Sequence, residues 1–159
     1  NKAGVALNNY LLEIQKIPES MMQSFAEKDW RYVIDFDYLA KLSKKYDLGC
    51  TGATIYEGRK IIVSSAKSTI HEFGHFLDGM MGFPSRTKGF YQRESASAAS
   101  LLRTYALTDA QEYFADCFGD WIKNRGDGKK MAMLQDAAPE TYHYFKMLEE
   151  NDWKPSLSS

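Results

Sequence analysis

A helix is imposed on the middle of the chain by His71-Glu72-Phe73-Gly74-His75, five residues whose chemistry converges when they are wound at about 100° per residue. With His71 as zero, His75 falls at about 40° and Glu72 at about 100°, so two imidazoles and a carboxylate share one sector. Phe73, at about 200°, takes the opposite side, where a packed helix needs an apolar residue. Two histidines at i and i+4 flanking a glutamate are ligand geometry for a divalent ion beside a general base. A chance match is expected in roughly 0.5% of chains this long, and two of the three histidines in the chain lie inside this motif. The bland alternative is a pair of surface or capping histidines on an amphipathic helix, and further ligands decide between the two.

A catalytic zinc takes three protein ligands and keeps a fourth position for water or substrate. One zincin arrangement places a third His six residues beyond the second with a Gly between, but Met81 and Asp78 occupy those positions. The other arrangement draws a Glu from a later helix. The stretch from Thr108 to Trp121 reads as such a helix, with Thr108 or Asp109 as its N-cap. Setting Glu112 to zero puts Asp116 at about 40°, while Phe114, Cys117, Phe118 and Trp121 gather between about 140° and 240°. The acidic face offers Glu112 as metal ligand and Asp116 as acceptor for the spare N–H of a ligand histidine, which fixes its tautomer. Without the upstream motif, the same pair would read as a solvated helix face.

Hydrolysis at such a site needs a base for the attacking water and a group to stabilise the oxyanion that forms on an amide carbonyl. Glu72 lies one residue from His71 and reaches the water without having to ligate the metal. Tyr105, just ahead of the Glu112 helix, is the candidate oxyanion donor. Among ten tyrosines, packing is the commoner role for any one of them, and spacing alone does not single it out.

These residues resemble a known family, the anthrax lethal factor-like catalytic domains, which also include the secreted clostridial Pro-Pro endopeptidases. His-Glu-Phe-Gly-His followed by Leu77-Asp78 looks like the family's active-site helix. Tyr105, followed seven residues later by Glu112-Tyr113-Phe114-Ala115-Asp116-Cys117-Phe118, looks like its Tyr and Glu-aromatic-Phe-Ala-Glu-x-Phe segment. Tyr56 to Val63 resembles the strand segment before the metal helix, and Ala138 to Phe145 the start of the last helix, so the likeness runs over about residues 50 to 150. It implies a zinc endopeptidase with one zinc per chain, in which His71, His75 and Glu112 hold the metal, Glu72 is the general base and Tyr105 stabilises the oxyanion. It also implies a protein or peptide substrate and a secreted or extracellular location. One departure is Asp116, where the family usually has Glu; the shorter carboxylate changes reach without removing the acceptor. The first 45 or so residues carry nothing over, and the scissile bond, Pro-Pro or otherwise, stays open.

The 159 residues suit one domain over 1–159, with 44% hydrophobic residues and no apolar run near the ~20 residues of a membrane span. A formal net charge of −1 gives no basic field for nucleic acid, and a monomer is expected. The chain begins at Asn1 without initiator Met or signal pattern, as a processed chain or a piece of a longer one does.

Periodicity places a helix over Val5–Lys16, a second opened by Pro18, and a strand over Trp30–Phe36. A helix capped by Asp37 reaches about Tyr46, and strands follow at Ala53–Tyr56 and Lys60–Ser64. The metal helix runs from an N-cap near Ser68 to Gly82, a loop opens at Phe83-Pro84-Ser85, and a helix covers about Tyr91–Arg103. After the Glu112 helix, Gly126-Asp127-Gly128 breaks the chain, and the last of two further helices starts at Pro139. A small sheet followed by helices is α+β, here a helix-rich zincin of the gluzincin type. One strand should be an edge that holds extended substrate, and the Ala53 strand is favoured over the Lys60 strand. Cys50 and Cys117 read as free thiols, Arg125-Gly126-Asp127 as a turn, and His143 as packed or exposed.

Two functional classes follow. One is the zinc endopeptidase, acting either as a toxin-type effector or as an enzyme of its own cell's surface. The other is a catalytically silent zincin-like metal-binding or protein-interaction module.

Overall fold

Strands of four residues, rich in β-branched side chains, build the sheet: β1 (Arg31–Ile34), β2 (Gly52–Ile55) and β3 (Lys60–Val63). β3 lies between the others, parallel to β1 and antiparallel to β2. Its Ile61, Ile62 and Val63 are all buried, as a central strand covered on both faces requires. β2 is therefore an outer strand of the sheet, as favoured from the sequence. The register sets Tyr32, Ile61 and Thr54 side by side on one face.

The computed structural model describes residues 4–47, 49–102 and 104–155, except the side chains of residues 4–6, 104 and 105. Two compact units divide the chain, Asn1–Phe76 and Leu77–Ser159. Among the described residues the first holds α1 (Gly4–Ile14), α2 (Glu19–Glu27), α3 (Phe36–Tyr46) and the sheet. Asp35, and not the expected Asp37, caps α3: its backbone is extended and its carboxylate accepts the Tyr38 N–H at 2.9 Å. Asp37 then falls in the first turn, where its charge suits the helix dipole, and Leu39 is buried.

α4 (Thr69–Met80) carries the His-Glu-Phe-Gly-His segment. It begins at Thr69, directly after Ser68, close to the expected start. Ser65 caps a 3₁₀ turn, Ala66–Ser68, that leads into the helix, and the Ser68 hydroxyl is paired with that of Thr51 at 2.6 Å. The helix ends on a Schellman motif: Phe83 N–H donates to the Asp78 carbonyl, Gly82 N–H to that of Gly79, and Gly82 has φ +78°.

In the second unit a short helix, α5 (Pro84–Thr87), stands where a loop was expected. The buried Asp78 carboxylate accepts the Ser85 N–H at 3.1 Å and hydroxyl at 2.6 Å, and Pro84 at the first helical position gives up no bond. α6 (Phe90–Ala98) is shorter than expected, and Arg103 lies outside the described residues. A 3₁₀ turn, Thr104–Leu107, precedes α7 (Ala110–Asn124), which Asp109 caps. Asp127 caps α8 (Gly128–Ala137) by accepting the Lys129 and Lys130 N–H groups, so Arg125-Gly126-Asp127 is a helix-starting turn. α9 (Pro139–Glu150) closes the series.

The cap of α9 comes from another helix. Its N-cap residue, Ala138, has no side-chain acceptor, and the buried Glu94 of α6 takes that place. Glu94 accepts the N–H groups of Glu140 and Thr141, each at 2.8 Å, and the Thr141 hydroxyl at 2.6 Å. Since that hydroxyl's one proton goes to Glu94, Tyr113 donates to its oxygen at 2.9 Å, and burial holds the Tyr113 phenol well above its usual range. Trp121 Nε1–H donates to Glu149, a second tie between α7 and α9. Cys50 and Cys117 are free thiols, and burial pushes the Cys117 thiol up, away from the reactive thiolate.

Glu94→Ala removes one acceptor from three donors, at about 1–3 kcal/mol for each buried donor left unsatisfied. Urea denaturation should show a loss of about 3 kcal/mol or more. A loss below about 1 kcal/mol would show that water satisfies the start of α9 unaided.

Candidate metal centre

Hydroxyl groups and one phenyl ring set the rotation of α4 over the sheet. Tyr32 of β1 pairs its phenol with the Thr69 hydroxyl at 2.7 Å, and burial raises that phenol to about 12. Thr54 of β2 donates to Glu72 Oε1 at 2.8 Å, and Tyr56, just past β2, donates to the His75 carbonyl at 2.9 Å. Between these ties Phe73 is fully buried, against Phe25 at 4.9 Å and stacked on Tyr32 at 6.2 Å between centroids. With Phe73 committed to the core, the helical period carries His71 and His75 away from it. Both are half-buried, their rings 4.9 Å apart and nearly perpendicular at 85°.

Glu112 sits in the first turn of α7, where Asp109 accepts its backbone N–H at 2.8 Å. α7 is more deeply set than a two-faced helix would be: Tyr113 through Phe118 are all buried, Asp116 among them. His71, His75 and Glu112 each offer one ligand atom, and these atoms lie within 4.8 Å of one another. Tetrahedral zinc with bonds of about 2.0–2.2 Å would hold its donors about 3.4 Å apart, so the three side chains would draw together around an ion. Two imidazoles and a carboxylate, half-buried, thus form a group that could hold a divalent metal ion.

The remaining residues picked out from the sequence are placed as follows. Glu72 lies on α4 between the two histidines, nearly buried and tied to Thr54. Asp116 is one turn beyond Glu112 on α7. Tyr105 belongs to the 3₁₀ turn that packs against α7, and its side chain lies outside the described residues. His143 is exposed on α9. Sequence reasoning passed over Thr54 and Gly52, which face Glu72 from β2. Their signal was the period of two in Gly52, Thr54 and Tyr56, which puts small and hydroxyl-bearing residues on one side of the strand.

A family model described as "Anthrax toxin lethal factor, N- and C-terminal domain" matches residues 49–148, well over half of the chain. The chain belongs to this family. No curated protein matches it. The lethal factor match takes in β2, β3, α4 and α7, and so every residue named above as a candidate ligand or reacting group, while α1 to α3 and β1 lie before it.

A ligand that binds only the folded chain stabilises it by about 2.7 kcal/mol at a hundredfold excess over its dissociation constant. Zinc added to metal-stripped protein should therefore raise the Tm by several degrees, and His75→Ala should remove the rise. An equal rise in the variant would place the bound ion elsewhere.

Proposed function

We propose that the protein is a zinc-dependent endopeptidase with a zincin fold of the gluzincin type over 1–159, hydrolysing peptide bonds in an extended protein substrate. The observation that carries this reading is the convergence of His71, His75 and Glu112 in a chain of the lethal factor family. The donor set, two neutral nitrogens and one carboxylate oxygen, is that of catalytic zinc sites that keep a position open. His71, His75 and Glu112 would hold the zinc, which when bound would supply Lewis acidity toward the scissile carbonyl and toward water.

The chain's own residues do the rest. Glu72 takes a proton from the attacking water and delivers it to the departing amide nitrogen, so the C–N bond breaks after the new C–O bond has formed. Tyr105 donates a hydrogen bond to the oxyanion on the carbonyl carbon. Asp116 would accept the spare N–H of a ligand histidine and so fix its tautomer. The outer edge of β2 takes the substrate as an added strand through backbone hydrogen bonds, which suits an extended segment and leaves side-chain specificity to the flanking loops. By the family likeness we place the enzyme outside the cell that makes it. Among the described residues no helix is long and apolar enough to cross a membrane.

Glu72→Ala should bind zinc as wild type does and cleave nothing in a peptide library; a fully active Glu72→Ala would remove Glu72 from the chemistry. Tyr105→Phe should lower kcat by about 10² to 10³, the worth of one oxyanion donor. A wild-type protein that binds zinc and leaves every peptide of a broad library intact would favour the silent binding module.

A further inference from the structure

We propose that Gly52 and Thr54 of β2 are positioning residues for the Glu72 carboxylate, Thr54 holding one oxygen and Gly52 leaving room for the other. The proposal rests on Glu72 being the base of the reaction above.

Thr54 Oγ1 donates to Glu72 Oε1 at 2.8 Å and also lies 3.1 Å from the Glu72 carbonyl oxygen. One hydroxyl thus lies against both the head and the backbone of the same residue, with the Glu72 side chain drawn back toward the strand. The second oxygen lies in space that a side chain at position 52 would fill. A Cβ built on Gly52 would stand 2.8 Å from Glu72 Oε2 and 2.9 Å from its Cγ, closer than real Cβ atoms come. Glycine is needed here for close approach of a backbone to a carboxylate. The obstructing atoms are those of the Glu72 side chain and, at 3.0 Å, Ser68 Cβ, so Gly52→Ala would push the carboxylate aside and also press on the turn that leads into α4.

Both residues lie on the same face of β2, two apart, and the register carries that face on through Ile61 to Tyr32, which anchors the first turn of α4 at Thr69. The strand proposed to receive substrate on its outer edge therefore holds the base on its face. Substrate alignment and base alignment share one rigid element, and a misplacement of about 1 Å in such a constellation costs up to about 10²-fold in rate.

The test combines crystal structures of zinc-loaded Thr54→Val, Thr54→Ser and Gly52→Ala with their steady-state kinetics. Thr54→Val keeps the shape and loses the hydroxyl, whereas Thr54→Ser keeps the hydroxyl and loses a methyl. The Glu72 carboxylate should move in Thr54→Val and Gly52→Ala and stay in place in Thr54→Ser. In the first two kcat should fall about 10- to 100-fold with KM and zinc stoichiometry nearly unchanged, and Thr54→Ser should recover most of the rate. A merely structural role for Thr54 predicts the reverse order, with Ser the worse of the two. An unmoved carboxylate in both Thr54→Val and Gly52→Ala would overturn the proposal, as would a Thr54→Val enzyme with unchanged kcat. If wild type cleaves no peptide, the peptidase reading falls alone, and the carboxylate positions still decide this one.

Discussion

Everything at the candidate metal centre depends on how one helix is rotated on a small sheet. α4 is only twelve residues long, and a turn of about 100° would exchange its core side for its ligand side. Burial of Phe73 and Phe76 against Phe25 and Trp30 supplies the main restraint, at about 1.5–3 kcal/mol for each large apolar side chain. Apolar contact is poorly directional, however, and the three hydroxyl ties from Tyr32, Thr54 and Tyr56 add the angular precision. They enter the helix at its start, at Glu72 and at His75, so the whole stretch that bears chemistry is registered against the strands.

The second unit solves a related problem for Glu112 by different means. Asp109 holds the first turn of α7 through the Glu112 N–H itself, and the following six residues are buried, which leaves the helix little freedom to roll. The tie from Trp121 to Glu149, and the chain of Tyr113, Thr141 and Glu94, bind α7, α9 and α6 into one frame. Among the described residues no buried side-chain nitrogen or oxygen lacks a hydrogen-bond partner. A carboxylate set on rigid elements would lose little freedom on taking up an ion.

Much of this was legible in the residues because long periodic helices announce themselves. The segments around Phe73 and Phe118 show a strong period and a clear end at Gly82 or a clear start at Asp109. Where two residues could serve one role, local rules did not choose: Asp35 and Asp37 are both good caps, and burial of Leu39 goes with the earlier start. α5 was missed because Phe83-Pro84-Ser85 reads as a loop until Asp78 supplies its acceptors from seven residues away. The Glu94 cap of α9 spans more than forty positions and leaves no local pattern. Gly52 and Thr54 escaped notice for the same reason, since a glycine between strands reads as punctuation until the helix above it is in place.

The account turns on a single shared ion, and the most direct measurement is anomalous diffraction at the zinc edge from crystals of the zinc-loaded protein. The predicted result is one strong peak bonded to a nitrogen of His71, a nitrogen of His75 and a carboxylate oxygen of Glu112, at about 2.0–2.2 Å each. A peak at other residues, or one on the two histidines with Glu112 turned away, would contradict it.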